Sequence, residues 1–184
     1  MDLRKFDSAG FDRGAPRWKE ALWLVVRSVF FAGWLPLPSA LRVFWLRVFG
    51  ARVGKGVVIR SRVNITFPWR LTCDDNVWIG EEVVILSLAE VRIGHSVCIS
   101  QRAFLCTGSH DFSKTSFDLL TQPIEIGAGS WIGACAFVAP GVEMGKGSRC
   151  LPGAVVTKSV ARGTTVGGIP AQPTKNQNRS DLSP

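Results

Sequence analysis

Histidine is scarce in this chain: His95 and His110 are the only two among 184 residues. A catalytic zinc held by three histidines of one polypeptide is therefore not expected, nor is any other metal. The five cysteines, Cys73, Cys98, Cys106, Cys135 and Cys150, are odd in number and form no Cys-x-x-Cys pair. They read as reduced, structural thiols of a cytoplasmic protein rather than as a disulfide framework. The chain also lacks an uninterrupted apolar run of the roughly 20 residues that a spanning helix needs. Residues 1–20 are polar, with no apolar core followed by a small-residue cleavage site, so no secretory signal is expected. Dense basic runs are missing too, although Lys and Arg exceed Asp and Glu by 22 to 14 for a formal charge of +8. The cations are dispersed through the N-terminal segment (Arg13, Arg17, Lys19, Arg27, Arg42, Arg47, Arg52, Lys55) and the tail (Lys158, Arg162, Lys175, Arg179). No nucleic-acid partner is expected from that pattern; phosphorylated small molecules, anionic sugars or a lipid surface fit it better.

What the chain does have, from Val53 onward, is a six-residue repeat. An aliphatic residue is followed by Gly, two polar or small residues, and then a small or β-branched one: VGKGVV at Val53, IGEEVV at Ile79, IGHSVC at Ile93, IGAGSW at Ile126, IGACAF at Ile132, MGKGSR at Met144. The same aliphatic phase passes through Ile59, Ile65, Cys73, Ile85, Ile99, Leu105, Val138, Cys150 and Val156. A period this short is too small for a helical repeat and fits a parallel β-helix, one short strand and one corner per hexad. The aliphatic residue points inward and stacks on its copy in the next coil. The Gly beside it is expected where the backbone turns sharply or takes φ > 0. Steps of eight residues separate Ile65 from Cys73 and Ile85 from Ile93, marking small bulges at corners. Between Leu105 and Ile126 no clean hexad occurs, and the segment is read as one excursion loop leaving the coil.

Length predicts one principal domain. Its expected parts are residues 1–50, a polar arm and an apolar helical segment; 51–170, the β-helix with a loop over 111–123; and 171–184, a polar tail. Within the first part, RWKEALWLVVRSVFFAGW is broken by LPLPS and followed by SALRVFWLRVFG, ending at a Gly suited to a helix C-terminus. Each half is about a dozen residues, too short to cross a bilayer. Both are apolar nearly all round, with Trp18, Trp23, Trp34 and Trp45 among Arg27, Arg42 and Arg47. Such a pair of helices can cap the open end of a solenoid or serve a subunit contact, or lie in a lipid interface as a peripheral membrane contact through residues 18–50.

His95 is the third residue of an ordinary hexad and reads as an outward-facing surface residue. His110, in CTGSHDF, stands where the regular coil meets the excursion loop. A titratable imidazole at the junction of a rigid wall and a loop is well placed to serve as a general base.

The hexads, the GSHDF segment, the PGAVVTKSV run and the closing GGIPAQP together resemble the hexapeptide-repeat acyltransferases. More narrowly, FGARVGKGVVI, FPWRLTCDDNVWIG, SLAEVRIG, CTGSHDF and the apolar N-terminal segment are similar to the colanic acid biosynthesis acetyltransferases of the WcaF type, from about residue 18 to 173. The resemblance implies an all-β solenoid wound as a left-handed parallel β-helix of hexapeptide repeats. It also implies a homotrimer with active sites in the subunit clefts and acetyl-CoA as acyl donor. His110 then matches the catalytic base that takes the proton of an acceptor hydroxyl, which attacks the thioester directly. Trp131 matches a wall of the acceptor pocket. Ala134 falls along the pantetheine path, and Thr157 and Lys158 near the nucleotide end of CoA. Asp111, next to the histidine, is a candidate to orient it or to meet the acceptor, and Glu90 is the other candidate carboxylate partner. Sugar acetyltransferases of the galactoside and maltose type carry an Asn some way before the histidine; residues 82–87 offer none, so their acceptor does not transfer.

The expected function is therefore acetyl-CoA-dependent O-acetylation of a saccharide for an exopolysaccharide, the acceptor being a small or lipid-linked sugar. Two alternatives stand beside it: acyl transfer to a non-sugar small molecule, and a non-catalytic β-helix scaffold in which His110 is dispensable.

Overall fold

The computed structural model describes Arg4, Phe6 and residues 10–33 and 36–174. Trp34, most of the first nine residues, and the tail from residue 175 with Lys175 and Arg179 lie outside the described residues. From Arg52 the chain winds as a β-solenoid of short parallel strands in three stacked sheets. Each coil contributes one strand to each sheet: Arg52–Val53, Val58–Ile59 and Asn64–Ile65 make the first, and their partners Leu71–Cys73, Trp78–Ile79 and Val84–Leu86 the second. Five coils are complete. A partial sixth adds Val160 beside Met144 and Thr165–Gly167 beside Arg149–Cys150.

The strands are two or three residues long because each hexad must also turn a corner. The aliphatic phase read from the sequence is the inward phase: its residues from Ile59 to Val156 are all buried, and only Val53, on the first coil, is half-buried. A second inward position lies two residues before each of them. There Val57, Val77, Ala103, Ala136 and Ala154 fill the space at the corners. Each fully buried Ile or Val contributes about 1.5–3 kcal/mol relative to exposure, so the stack is the main source of cohesion.

The Gly after the aliphatic residue has a different cause from the one expected. Positive φ falls two residues later, at the fourth hexad position, and non-glycine residues such as Asn76, Glu82, Ser96 and Arg102 adopt it. The second-position Gly is a matter of space. A Cβ on Gly133 would sit 2.5 Å from Pro152 N, and one on Gly127 2.5 Å from Lys146 N. Coils about 4.8 Å apart leave no room for a methyl group between Gly133 or Gly127 and the backbone of the next coil.

Helices α1 (Arg17–Phe30) and α2 (Ser39–Val48) close the open end of the first coil. Trp23, Phe31, Val43, Leu46 and Phe49 extend the solenoid core. Their polar atoms also pair the unmatched backbone edge: Trp23 Nε1–H donates to Ile65 O at 2.9 Å, Ile59 N–H to Ser39 Oγ at 2.7 Å, and Arg62 N–H to Phe31 O at 2.8 Å. Arg42, read from the sequence as one of the dispersed cations, is instead buried and donates to the carbonyls of Phe30, Leu37 and Ile59. Burial and the nearby Arg60 charge lower its pKa. The opposite face of the helices stays in solvent, with Trp18, Leu22, Val25 and Val29 in a stripe along α1 and Phe44 and Val48 on α2. Among the described residues no helix is long and apolar enough to cross a membrane. At the far end Gln172–Pro173 runs antiparallel to Thr165–Gly167, covering part of the last edge.

Candidate active site

The three departures read between Ile65 and Ile126 stack at one corner, where the third sheet hands over to the first. In the first coil the corner is a turn of 3-10 helix, Pro68–Arg70; in the second it is residues 87–90; in the third it is the excursion segment. Two buried hydroxyls tie the layers together. Ser87 Oγ accepts from Phe67 N–H at 2.8 Å and donates to Phe67 O at 3.0 Å. Thr107 Oγ1 donates to Leu86 O at 2.6 Å and accepts from Ala89 N–H at 2.9 Å.

The excursion is not a plain loop. Gly108–His110 pairs antiparallel with Leu119–Thr121, so the segment is a small β-hairpin standing off the coil, with His110 opposite Leu119. Local polar groups shape its tip. Asp111 N–H bonds Asp118 O at 2.8 Å, and the Asp111 carboxylate accepts from Ser113 N–H and Oγ–H. Lys114 Nζ lies 2.9 Å from Asp118 and 3.8 Å from Asp111. The Ser113 hydrogen bonds hold the Asp111 carboxyl below its ordinary range, and Ser116 with Lys114 does the same for Asp118.

His110 sits at the end of the first hairpin strand, half-buried. Its Nδ1 lies 2.9 Å from the carbonyl oxygen of Phe117. A carbonyl can only accept, so Nδ1 carries a proton, and in the neutral ring the lone pair is on Nε2. The Phe117 ring stacks parallel on the imidazole, with centroids 4.2 Å apart and 3° between planes, and Phe6 meets it edge-on at 5.5 Å. The result is an imidazole whose plane is held by two rings and whose neutral form has one tautomer.

The carboxylates read as its partners are placed elsewhere. Glu90 is exposed, its main-chain carbonyl accepting from Ile124 N–H, and it makes no hydrogen bond to His110. The Asp111 carboxylate is spent on the hairpin tip. A backbone carbonyl does the orienting, which no residue type in the sequence could signal. Trp131 is half-buried on the outer side of the second sheet and donates Nε1–H to Ser100 Oγ at 2.8 Å. Ala134 lies at the next corner, between second and third sheets. Thr157 and Lys158 are exposed at the same corner as His110, two coils further on. One chain therefore keeps Thr157 and Lys158 at the corner of His110, two coils away, and places Trp131 on another face and Ala134 at another corner. His95 is exposed on the corner between first and second sheets, away from the hairpin. Among the described residues no group of three or more His, Cys, Asp or Glu is arranged to hold a metal ion, and all five cysteines are free.

The repeat-built parallel β-solenoid with its capping helices is shared with solved acetyltransferases, and comparison with known proteins identifies the family. No family model matches the chain. The chain is 42% identical over 172 residues to the colanic acid biosynthesis acetyltransferase WcaF of Escherichia coli, covering 93% of this chain and 94% of that one. Galactoside acetyltransferase in complex with coenzyme A superposes with a TM-score of 0.80 at 21% identity, over 98% of this chain and 94% of that one. The hexapeptide-repeat acetyltransferase VCA0836 of Vibrio cholerae, complexed with acetyl-CoA, gives 0.78 at 24% identity, over 94% and 93%. These two likenesses concern the fold. The identity with WcaF decides the family: the chain belongs to the hexapeptide-repeat acetyltransferases, in the group that contains WcaF.

Proposed function

We propose that this chain is an acetyl-CoA-dependent O-acetyltransferase that acetylates a saccharide hydroxyl in exopolysaccharide biosynthesis. The observation that carries the reading is the His110 geometry: Nδ1–H committed to the Phe117 carbonyl, Nε2 left basic. Nε2 takes the proton of the acceptor hydroxyl as its oxygen attacks the thioester carbonyl. The tetrahedral intermediate collapses, the C–S bond breaks, and the leaving thiolate recovers the proton from the imidazolium. No acyl-enzyme forms. A positioned base contributes on the order of 10²- to 10⁴-fold, and holding two substrates in register contributes further. A backbone N–H is the expected donor to the developing oxyanion.

The spread of the candidate residues supports assembly from more than one chain. In a homotrimer of left-handed coils, the cleft between neighbours brings Trp131 and Ala134 of one copy toward His110 of the next. Trp131 then walls the acceptor, and Thr157 and the exposed Lys158 meet the phosphates of the donor, Lys158 as a point charge. The outer face of α1 supports a peripheral contact with the cytoplasmic face of a membrane. Trp18, Leu22, Val25 and Val29 recur at helical spacing and are 46% to 66% exposed together with Leu24, which suits a helix lying in the interface and an acceptor carried on a lipid.

Titration of the purified protein with acetyl-CoA in a calorimeter, followed by an acceptor screen that detects released CoA thiol, tests the reading. Saturable binding near one site per chain with saccharide-dependent thiol release is the expected result. A folded protein that binds no acetyl-CoA overturns it in favour of a scaffold.

A further inference from the structure

The Phe67–Arg70 turn belongs to one of the most distinctive stretches of the sequence, yet it contributes nothing to the chemistry above. Its contacts run instead to the N-terminal arm. Trp69 Nε1–H donates to Arg13 O at 2.7 Å. Arg70 donates through one Nη to Leu88 O, within the corner, and through the other to Asp12 O, on the arm. The Arg70 guanidinium also lies 5.5 Å from the Phe11 ring, which stacks on Phe67 at 6.3 Å. Phe67 in turn stacks on Trp69 at 5.1 Å, and Lys19 sits over Trp69. The turn is a clasp that pins residues 11–13 across the corner bearing the hairpin. Beyond the clasp, Phe6 reaches the imidazole of His110.

Phe6 is 37% exposed, so burial of its ring is a weak reason for that position. Its edge-on contact and the Phe117 stack lie against the same imidazole and restrict its tilt. Edge-to-face aromatic pairs are favourable beyond area burial, which biases the orientation of an imidazole carried on a hairpin. Resting on the reading of His110 as the base, we propose that Phe6 is a positioning residue for it, and that Arg70 and Trp69 act on catalysis only by clasping the arm that carries Phe6.

The chain has only two histidines, which makes the proposal directly observable. In protein carrying ¹³C-labelled histidine, the ring signals of His110 are displaced by the Phe6 and Phe117 ring currents, and His95 is an internal control. Phe6→Ala and Arg70→Gln are each expected to move the His110 signals and leave those of His95 in place. Both should lower kcat on the order of 10-fold, within the range that misplacing a reacting group produces, with KM for acetyl-CoA unchanged. Phe6→Tyr, which keeps the ring, should keep the signals and the rate. His110 signals and kcat both unchanged in Phe6→Ala overturn the positioning role, as does a shared loss of His95 and His110 dispersion, which marks general unfolding. His110→Ala, run alongside, separates the two readings. If it keeps the wild-type rate, the base assignment fails whatever the spectra show. If it is inactive while Phe6→Ala is normal by both measures, only the positioning role fails.

Discussion

Replacing Gly133 with alanine is expected to destabilise the solenoid several times more than replacing Gly129, although only Gly129 has positive φ, at +68°. A Cβ on Gly133 meets Pro152 N at 2.5 Å, Leu151 C at 2.6 Å and Cys150 O at 2.7 Å, all backbone atoms of the next coil. No side chain can swing aside. Ordinary contact begins at 3.4 Å, so relief needs a local parting of about 0.9 Å, the difference from 2.5 Å. Gly133 N–H to Cys150 O and Gly153 N–H to Ala134 O, both 2.8 Å, would then be stretched past the useful range of about 3.2 Å. Two inter-coil hydrogen bonds lost, with their groups left partly buried, cost about 2–4 kcal/mol. Around Gly129 nothing lies within 4 Å of the added Cβ, and the cost is that of a left-handed backbone alone, about 1 kcal/mol. For a chain of this length each kcal/mol lowers Tm by about 2–4 °C. Urea and thermal unfolding at one fixed protein concentration, needed because assembly shifts apparent stability, give the comparison. Equal losses, or a larger loss for Gly129→Ala, would refute the close-approach account of the hexad glycine.

Trp23→Ala removes a fully buried ring and the donor to Ile65 O; a loss of about 3–5 kcal/mol in urea unfolding is expected, and a loss below about 1 kcal/mol would contradict the capping role. Cys135 is exposed and should react with maleimide in the native protein, whereas Cys73 and Cys150, their thiols pushed up to about 12 and about 11 by burial, should stay unmodified until the chain unfolds. Because those folded values lie above the ordinary 9.0, the contribution of the two thiols is full below about pH 9 and lost as pH rises toward 11 and 12. Alkaline unfolding of Cys73→Ala should accordingly be shallower than that of the wild type. Val25→Asp, on the outer stripe of α1, should abolish co-sedimentation with anionic vesicles while leaving transfer to a soluble acceptor intact; unchanged sedimentation argues against the membrane contact.

The solenoid was legible because its packing obeys a local rule. One inward aliphatic residue per hexad marks the phase, and Ile59, Ile85, Ile99 and Ile132 stack as that phase requires. The reason for the hexad glycine was not, since the close approach of Gly133 to Pro152 N involves the next coil and leaves no trace in composition. The position of His110 at the edge of the regular repeat was also readable, but its orienting group was not, since a main-chain carbonyl is present at every residue. The hairpin escaped notice because Gly108–His110 and Leu119–Thr121 are only three residues each and half exposed. The contact of Phe6 with His110 depends on a clasp formed by Trp69 and Arg70, whose partners are backbone oxygens far away in sequence. Such contacts are fixed by the fold and cannot be spelled by residue type.

The central claim is that the Nε2 lone pair of His110 accepts the acceptor's proton. Its most direct test is the transfer rate of His110→Ala at saturating acetyl-CoA and acceptor, with acetyl-CoA affinity measured on the same preparation. A fall in kcat of about 10²- to 10⁴-fold at unchanged affinity is predicted. A variant that binds acetyl-CoA and transfers at the wild-type rate would contradict the account.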